Sequence, residues 1–323
     1  MARILGMGNA LVDIMTPIPN DIILEEMGLP KGSMQLVDLE TSMRILKATE
    51  HLDKQLASGG SAANTINGLA RLGLETAFLG KIGMDEYGEA FQDDLLKSGI
   101  EPKLLFSNRH SGRAIALVSE DSERTFATHL GAAVELAPGD LQHEQFKSYD
   151  YLHIEGYLVQ NHELLDKALR LAKDNHLKVS LDMASYNIVE ENLDFLRTAV
   201  RDYVDILFAN EEEARVFTGL EPRAAVDEIA GMCEIAIVKI GKAGSLVRKG
   251  KSFHEVKALK ANPIDTTGAG DLYASGFLYG LTQDFPLVKC GSLGSLLAGN
   301  VIEVIGPKMD KERWEHILEA INA

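Results

Sequence analysis

Over most of its length the chain alternates short apolar runs with longer stretches of helical periodicity. The apolar runs are RILGMG, TAFLGKIG, YLHIEG, KVSLDMA, VDILFAN and IAIVKIG. Between them lie ANTINGLARLGL, YGEAFQDDLLKSGI, NHELLDKALRLAKDNHL and NLDFLRTAVRDY, whose apolar residues recur at helical spacing. Such alternation indicates βαβ units, and therefore an α/β fold whose mostly parallel central sheet is covered on both faces. Because no repeat or proline-rich linker divides the sequence, residues 1–323 are predicted to form a single domain.

Two regions, approximately 12–40 and 111–130, depart from this alternation. LVDIMTPIPNDIIL with KGSMQLVDL, and later SGRAIALVSEDSERTFATHLG, alternate more like exposed antiparallel strands. In the second region SEDSER indicates a hairpin turn between two strands. We therefore expect these segments to form a small β-sheet that stands off the main sheet as a lid over a cleft.

The net charge and the two cysteines exclude several classes of protein. With 32 basic and 48 acidic side chains the formal charge is −16, which disfavours binding to nucleic acid or to an anionic membrane. Cys233 and Cys290 stand in no metal-binding or disulfide pattern and are expected to be reduced thiols. No signal peptide or run of 18 apolar residues is apparent, so the protein is expected to be cytoplasmic.

The segment DTTGAGD, residues 265–271, directly precedes the helical pattern LYASGFLYGL. Backbone N–H groups at a helix start lack intrahelical partners, and glycines let an anion such as a phosphoryl group approach them. Asp271 in the first turn could then accept a proton from an attacking hydroxyl. The alternative is a glycine-rich turn in which Asp271 merely complements the helix dipole.

Two further polar segments stand at predicted helix starts. In ASGGSAANTINGLARLG, Gly60 permits close approach of a ligand while Ser61 and Asn64 offer polar groups, although Ser61 could simply cap the helix. In ANEEEARVFTG, Asn210 and Glu213 would lie on one face at a strand-to-helix junction, as oxygen ligands of hydrated Mg²⁺ do. The alternative there is a solvated acidic first turn.

These segments together resemble the ribokinase-like (PfkB) family of sugar and nucleoside kinases. GGSAANT with INGLARLG resembles the N-terminal signature of the family, DTTGAGDLYASGFL resembles its C-terminal signature, and NEEEA matches its Asn-x-x-Glu motif. GNALVDI, SERTFATHLGAA and EGYL are most similar to the adenosine kinase-like subgroup. The resemblance runs along nearly the whole chain and implies a ribokinase-like three-layer sandwich with a small β-sheet lid.

The resemblance also implies roles for individual residues. Asp271 would be the general base, Arg124 would reach from the lid over the transferring phosphate, and Tyr157 would wall the base pocket. The anion hole would consist of Gly268, Ala269 and Gly270, and the ribose hydroxyls would bind Asn9, Asp13, Gly60, Ser61 and Asn64. The ATP site would include Asn210, Lys239, Gly241, Gly244 and Asn300. Glu213 would organise Mg²⁺ through water, and Asp265 and Thr267 stand where a monovalent cation such as K⁺ binds in many family members.

We therefore expect an ATP-dependent, Mg²⁺-dependent kinase that phosphorylates a primary hydroxyl of a ribose-containing substrate, with the 5′-OH of adenosine as first choice. Two departures from the family pattern bear on this expectation. Lys239 stands where a threonine is common, and Asp182 is typical of the sugar kinases as much as of the nucleoside kinases. The alternatives are a sugar kinase of the ribokinase or fructokinase type and a non-catalytic nucleoside or nucleotide sensor. Helix-like additions among the lid strands resemble those with which the adenosine kinase-like subgroup covers the lid edge that ribokinases use to dimerise, and this resemblance implies a monomer rather than a dimer.

Overall fold

The apolar runs form the strands of a large sheet in this computed structural model, which describes residues 2–121 and 123–322. Within those residues the sheet has nine strands in the order β14-β13-β12-β11-β10-β9-β1-β5-β6. Their bounds are β1 Arg3–Met7, β5 Glu75–Gly83, β6 Ile100–Ser107, β9 Tyr151–Glu155, β10 Lys178–Asp182, β11 Ile206–Asn210, β12 Ile235–Lys239, β13 Ser245–Lys249 and β14 Ser252–Val256. The pairs β12–β13 and β13–β14 are antiparallel and the other six pairs are parallel, so the prediction of a mostly parallel central sheet is confirmed.

Helices cover both faces of this sheet, because successive residues of a buried strand point to opposite sides. Leu207, for example, packs among the helices of one face, whereas Phe208 packs against the other. The first face carries α5 His143–Phe146, α6 His162–Asp174, α7 Tyr186–Glu191, α8 Leu193–Tyr203, α9 Glu211–Thr218 and α10 Pro222–Ile229. The second carries α3 Ser61–Arg71, α4 Glu86–Lys97, α11 Ala269–Thr282 and α12 Leu287–Val301, with α13 Lys311–Asn322 packed outside them. This is the expected three-layer sandwich.

A second, smaller sheet is built from β2 Leu11–Pro17, β3 Met34–Leu36, β4 Gln55–Gly59, β7 Gly112–Val118 and β8 Arg124–His129, in the order β3-β8-β7-β2-β4. The hairpin of β7 and β8 is antiparallel as predicted, and its turn contains Ser122, which lies outside the described residues. The expectation of antiparallel strands throughout was wrong, since β2 pairs in parallel with β7, and β3 with β8. Strand β4 was not predicted at all. It pairs antiparallel with β2.

The two helix-like stretches predicted among these strands are α1 Ile22–Met27 and α2 Leu39–Ala48. None of the helices in the described parts of the chain is long and apolar enough to cross a membrane. The assignment of residues 1–323 to one kinase domain stays a prediction.

Four neighbouring strands of the large sheet end in polar residues at the same edge. Glu155, Asp182, Asn210 and Lys239 are the last residues of β9, β10, β11 and β12. Asp182 lies opposite Glu155, and Asn210 lies opposite Lys239 in the strand register. Parallel strands therefore gather three acidic or amide groups and one amine at the carboxyl edge, where ligands of open α/β sheets bind.

The helices of the two glycine-rich segments pack directly on each other. A Cβ atom on Gly68 of α3 would lie 2.4 Å from Ser275 Oγ of α11, so only glycine permits this approach. Ser275 Oγ lies within hydrogen-bonding distance of the carbonyl oxygens of Thr65 (2.8 Å) and Asp271 (2.9 Å), which share its single O–H donor. These contacts fix the position of α3 relative to α11.

Candidate active site

A cavity of about 1510 Å³ lies at the carboxyl edge of the large sheet, beneath the small sheet. It is lined by most of the residues that the sequence predicted for a site: Asn9, Asp13, Gly60, Ser61, Asn64, Tyr157, Asn210, Glu213, Lys239, Gly241, Gly244, Thr267, Gly268, Ala269, Gly270 and Asp271. Drug-sized ligand sites usually occupy about 300–1,000 Å³. The cavity is therefore large enough to hold two small molecules side by side.

The glycine-rich turn ends at the start of α11, as predicted. Gly268 precedes the helix with φ +77°, a left-handed conformation that glycine adopts readily. The first hydrogen bond of the helix runs from Leu272 N to Gly268 O (2.8 Å). Ala269 N donates to Thr266 O in the turn before the helix. The N–H groups of Gly270 and Asp271 are thereby left without helical partners, as at the start of any α-helix. Such a helix start attracts an anion.

Asp271 is held by the other glycine-rich segment. Its carboxylate accepts hydrogen bonds from Ser61 Oγ (2.7 Å) and Asn64 Nδ2 (2.9 Å). Burial raises the pKa of Asp271 to about 6, although these two hydrogen bonds oppose the rise. Ser61 does not cap its helix, because the N-cap is Gly60 with φ +95°. A carboxylate with this pKa is mostly ionised at neutral pH and can accept a proton.

Glu155 is a site residue that the sequence reasoning did not single out. Its side chain is buried, with 1% of the residue exposed, and accepts hydrogen bonds from Asn9 N (2.9 Å), Asn9 Nδ2 (2.8 Å) and Ala62 N (3.0 Å). Burial raises the pKa of Glu155 to about 7 against the effect of these donors. Glu155 thus ties the end of β1 to the start of α3. The signal in the sequence was an acidic residue closing the apolar run YLHIE.

Asp13 enters the cavity from strand β2 of the small sheet. Its carboxylate occupies the space where a Cβ atom of Gly59 would lie, 2.2 Å from Asp13 Oδ1, which explains a glycine at that position. Burial raises the pKa of Asp13 to about 7, and the ammonium of Lys308 opposes the rise. Asn9 and Asp13 therefore present an amide and a carboxyl group to the same part of the cavity.

Asn210 and Glu213 form a capping box at the start of α9. Asn210 Oδ1 accepts from the N–H groups of Glu212 and Glu213 (both 2.9 Å), and the Glu213 carboxylate accepts from Asn210 N and Nδ2 (both 2.7 Å). Burial raises the pKa of Glu213 to about 7, and Asp182 adds to the rise. The capping alternative therefore describes the local geometry, while both residues also line the cavity.

Hydrated Mg²⁺ fits the end of the cavity that Asn210 and Glu213 line. Asp182, Glu213 and Asp271 line it together with Lys239, so three carboxyl groups surround this ammonium group. The residues described here contain no cluster of three or more His, Cys, Asp or Glu side chains arranged to hold a metal ion. Mg²⁺ commonly binds through one or two carboxylates, waters and substrate phosphates. Glu213 with its water shell is consistent with that mode of binding.

Three predicted residues lie outside the lining of the cavity. Asn300 donates from Nδ2 to Leu296 O (2.9 Å), and its Oδ1 accepts from Arg313 (3.3 Å), so it faces α13. Arg124 and Asp265 form a buried ion pair with each other. Arg124 therefore reaches from the small sheet to the turn before the anion hole.

Asp265 also accepts hydrogen bonds from Thr267 N (2.8 Å) and Gly306 N (2.6 Å). With the Arg124 guanidinium beside it, the Asp265 carboxylate has its compensating charge already. A monovalent cation at this carboxylate would have to compete with the guanidinium of Arg124.

The geometry supports one kind of chemistry. A carboxylate that can accept a proton lies at the start of a helix whose free N–H groups suit an anion, and hydroxyl-binding side chains surround it. Transfer of a phosphoryl group to an alcohol requires this alignment of base, acceptor and anion site.

Comparison with known proteins agrees with that chemistry. The profile of the pfkB family carbohydrate kinases matches residues 46–313. The adenosine kinase from Sinorhizobium meliloti has a similar structure, with a TM-score of 0.86, 34% identity and coverage of 99% of both chains. A Rhizobium etli protein described as a "probable sugar kinase protein" is also 34% identical, with a TM-score of 0.87 and coverage of 99% of this chain and 98% of that one.

A 5-dehydro-2-deoxygluconokinase from Clostridium perfringens is 28% identical over 297 residues, which is 85% of this chain and 86% of that protein. Nucleoside kinases and sugar kinases therefore both occur among the similar proteins. The match of the family profile over most of the chain settles the broader assignment. The protein belongs to the pfkB family of carbohydrate kinases.

Proposed function

We propose that this kinase transfers the γ-phosphate of ATP to the primary hydroxyl of a ribose-containing substrate, with the 5′-OH of adenosine as acceptor. The observation that carries the proposal is the position of Asp271, whose carboxylate lies at the start of α11 and is held by Ser61 and Asn64. A base in this position has a use in group transfer and none in binding alone.

In the proposed reaction the acceptor hydroxyl lies within hydrogen-bonding distance of Asp271. Its proton passes to the Asp271 carboxylate as its oxygen bonds to the γ-phosphorus, and the bond from that phosphorus to the bridging oxygen of ADP breaks. The N–H groups at the start of α11 stabilise the charge on the transferring group: those of Gly270 and Asp271 have no helical partners, and those of Gly268 and Ala269 complete the predicted anion hole once Ala269 N is released from Thr266 O. The aspartic acid then returns its proton to solvent when the product leaves.

The remaining side chains orient the two substrates. The sugar hydroxyls bind Asn9, Asp13, Gly60, Ser61 and Asn64, and Tyr157 lies against the base. The triphosphate of ATP extends along Asn210, Lys239, Gly241 and Gly244 towards the start of α11. Kinases of this family use ATP, typically with Mg²⁺; Glu213 would hold the ion through water, and when bound it supplies positive charge to the phosphates. Arg124, which is paired with Asp265 at the turn that precedes the anion hole, would reach the transferring phosphate after leaving that carboxylate.

Similarity over the whole chain supports adenosine as acceptor, since an adenosine kinase of 34% identity covers 99% of the sequence. Helices α1 and α2 beside the small sheet agree with the resemblance to adenosine kinases. A sugar acceptor is the second candidate, because the 5-dehydro-2-deoxygluconokinase aligns with 85% of the chain at 28% identity.

The test is ADP release from Mg·ATP with adenosine, inosine, guanosine, cytidine, ribose, fructose, 5-dehydro-2-deoxygluconate and no acceptor. Asp271→Asn is measured beside the wild type. Turnover with adenosine that is lost in the variant supports the proposal. Turnover with a free sugar only would keep the mechanism and replace the acceptor. Binding of ATP without turnover of any acceptor would refute the kinase proposal in favour of a sensor.

A further inference from the structure

Lys239 places an ammonium group beside the anion-binding end of α11. Its Nζ donates to Asp182 Oδ2 at 2.7 Å, and the side chains of this pair are 17% and 7% exposed. A Cβ atom on Gly270 would lie 3.1 Å from Lys239 Nζ. The ammonium group is therefore close to the first turn of α11, although it comes from the end of strand β12.

The charges around this ammonium group are mostly negative. Burial lowers the pKa of Lys239, but Asp182, Glu213 and Asp271 outweigh burial and leave that pKa above its ordinary value. Lys239 is therefore charged throughout the neutral range. Among the residues that the structure describes, Asp182 is the one hydrogen-bond acceptor of this ammonium group, so two of its three N–H bonds are available to another acceptor.

We propose that Lys239 is a catalytic residue that binds the transferring γ-phosphoryl group beside the α11 N–H groups, with Asp182 as the positioning residue that aims it. The inference rests on the proposed function and names a further residue for the same reaction. As the phosphorus–oxygen bond to ADP breaks and the bond to the acceptor oxygen forms, negative charge spreads over the three equatorial oxygens. The ammonium group keeps its protons and neutralises part of that charge.

The position of Lys239 distinguishes this role from simple binding of ATP. Lys239 Nζ lies near both the backbone of Gly270, in the anion hole, and the carboxylate of Asp271, whose pKa it lowers. A cation near both the base and the anion hole acts on the reacting phosphorus centre. A contact made more strongly in the transition state than in the ground state raises kcat, whereas equal contacts change only KM.

The test uses Lys239→Met, Asp182→Asn and the double variant, with steady-state kinetics at saturating ATP and acceptor. Loss of a charge-stabilising donor typically lowers kcat by about 100–1,000-fold. We expect a fall of that size in Lys239→Met with a smaller change in the KM for ATP. Lys239→Arg, which keeps a cation, is expected to retain more activity than Lys239→Met.

The double variant separates catalysis from structure. If the pair only supports the fold, Lys239→Met is harmful because it leaves Asp182 buried and unpaired, and removing both charges restores activity. If the ammonium group is catalytic, the double variant stays as slow as Lys239→Met. Should Lys239→Met fail to fold, the double variant, which has no unpaired charge, decides the question.

Lys81→Met is the matched control. Lys81 and Asp140 form an ion pair of 2.8 Å with side chains 15% and 26% exposed, away from the cavity. Loss of the Lys81–Asp140 ion pair is expected to change kcat by less than about twofold.

Three results would overturn the inference while wild-type turnover is normal: a fall in kcat of less than tenfold in Lys239→Met, recovery of activity in the double variant, or an equal loss in Lys81→Met. A rise in the KM for ATP with unchanged kcat would also overturn it. Failure of the wild type to turn over any acceptor would instead refute the proposed function, and this inference with it.

Discussion

Replacing Asp271 with asparagine is predicted to change activity and stability in opposite directions. Asparagine has nearly the same shape as aspartate, and its amide can accept from Asn64 Nδ2 and donate to Ser61 Oγ, the two atoms that Asp271 contacts. The site should therefore keep its geometry but lose its base. A general base contributes about 10²–10⁴-fold to the rate, so kcat is expected to fall by that factor, or about 3–5 kcal/mol.

The gain in stability follows from the pKa of Asp271. Burial raises that pKa from 3.8 to about 6, which corresponds to about 3 kcal/mol against the ionised form in the folded state. Since the side chain is partly exposed to the cavity, solvent reduces this penalty to about 1–2 kcal/mol. Asparagine carries no such penalty, so at pH 8 the variant should unfold a few degrees above the wild type.

The difference in stability between Asp271→Asn and the wild type must depend on pH, and the pKa of Asp271 fixes its direction. The folded state of the wild type binds a proton at Asp271 more tightly than the unfolded state, so its stability rises as pH falls from about 6 to 4. The advantage of Asp271→Asn is therefore full at pH 8 and absent near pH 4. Thermal unfolding at several pH values, beside kcat measurements on the same preparations, tests both expectations.

Asp85→Asn provides a control of opposite sign. Burial raises the pKa of Asp85, but hydrogen bonds from Ser111 and Gly88 outweigh it and hold that pKa below its ordinary value. This variant should lose stability at pH 8 and keep its activity. The reasoning about Asp271 would be refuted if Asp271→Asn kept kcat within tenfold of the wild type, or if it melted below the wild type at pH 8 while remaining folded.

Three further predictions concern two residues that hold the site in place and the oligomeric state of the protein. Glu155→Leu leaves its three N–H donors buried and unpaired at about 1–3 kcal/mol each, so the melting temperature should fall and the acceptor KM should rise; unchanged values of both would contradict the role of Glu155. Gly68→Val drives a side chain into Ser275 and should lower stability by about 1–3 kcal/mol together with kcat, whereas Gly139→Val, in open space, should change neither. Light scattering should give a mass near 35.2 kDa if the protein is monomeric as expected, and a mass twice that would establish a dimer.

The buried strands of the large sheet were predictable because their apolar residues stand out against the polar residues at the strand ends. Strands β1, β11 and β12 are almost wholly apolar inside their ends, and β9 and β10 interrupt their apolar residues with His153 and Ser180; all five pair in parallel beneath helices. Strand β4, with the sequence QLASG, is short and half exposed and has no such pattern. Strand β6 contains Pro102, which obscures a strand at the edge of the sheet.

The site was predictable where the chemistry lies within one short segment. The turn before α11 and the residues around Asn64 could be recognised locally, but their partners could not. Asn9 and Glu155 are 146 positions apart, and Lys239 and Asp182 are 57 apart. Such pairs arise from strand order, which a single sequence does not specify. The same limit explains Asn300, since helical periodicity alone did not tell which side of α12 faces the cavity.

The short connection between β1 and β2 has a consequence for competing reactions with water. Only Gly8, Asn9 and Ala10 separate the last residue of a central strand from the first residue of the small sheet. An acceptor that hydrogen-bonds Asn9 would therefore lie in one of the segments that join the two sheets. If the small sheet closes over the cavity about this connection, acceptor binding would favour closure, and ATP would be sequestered together with its acceptor. The protein would in this way discourage wasteful hydrolysis through its chain connectivity, without a dedicated sensing element.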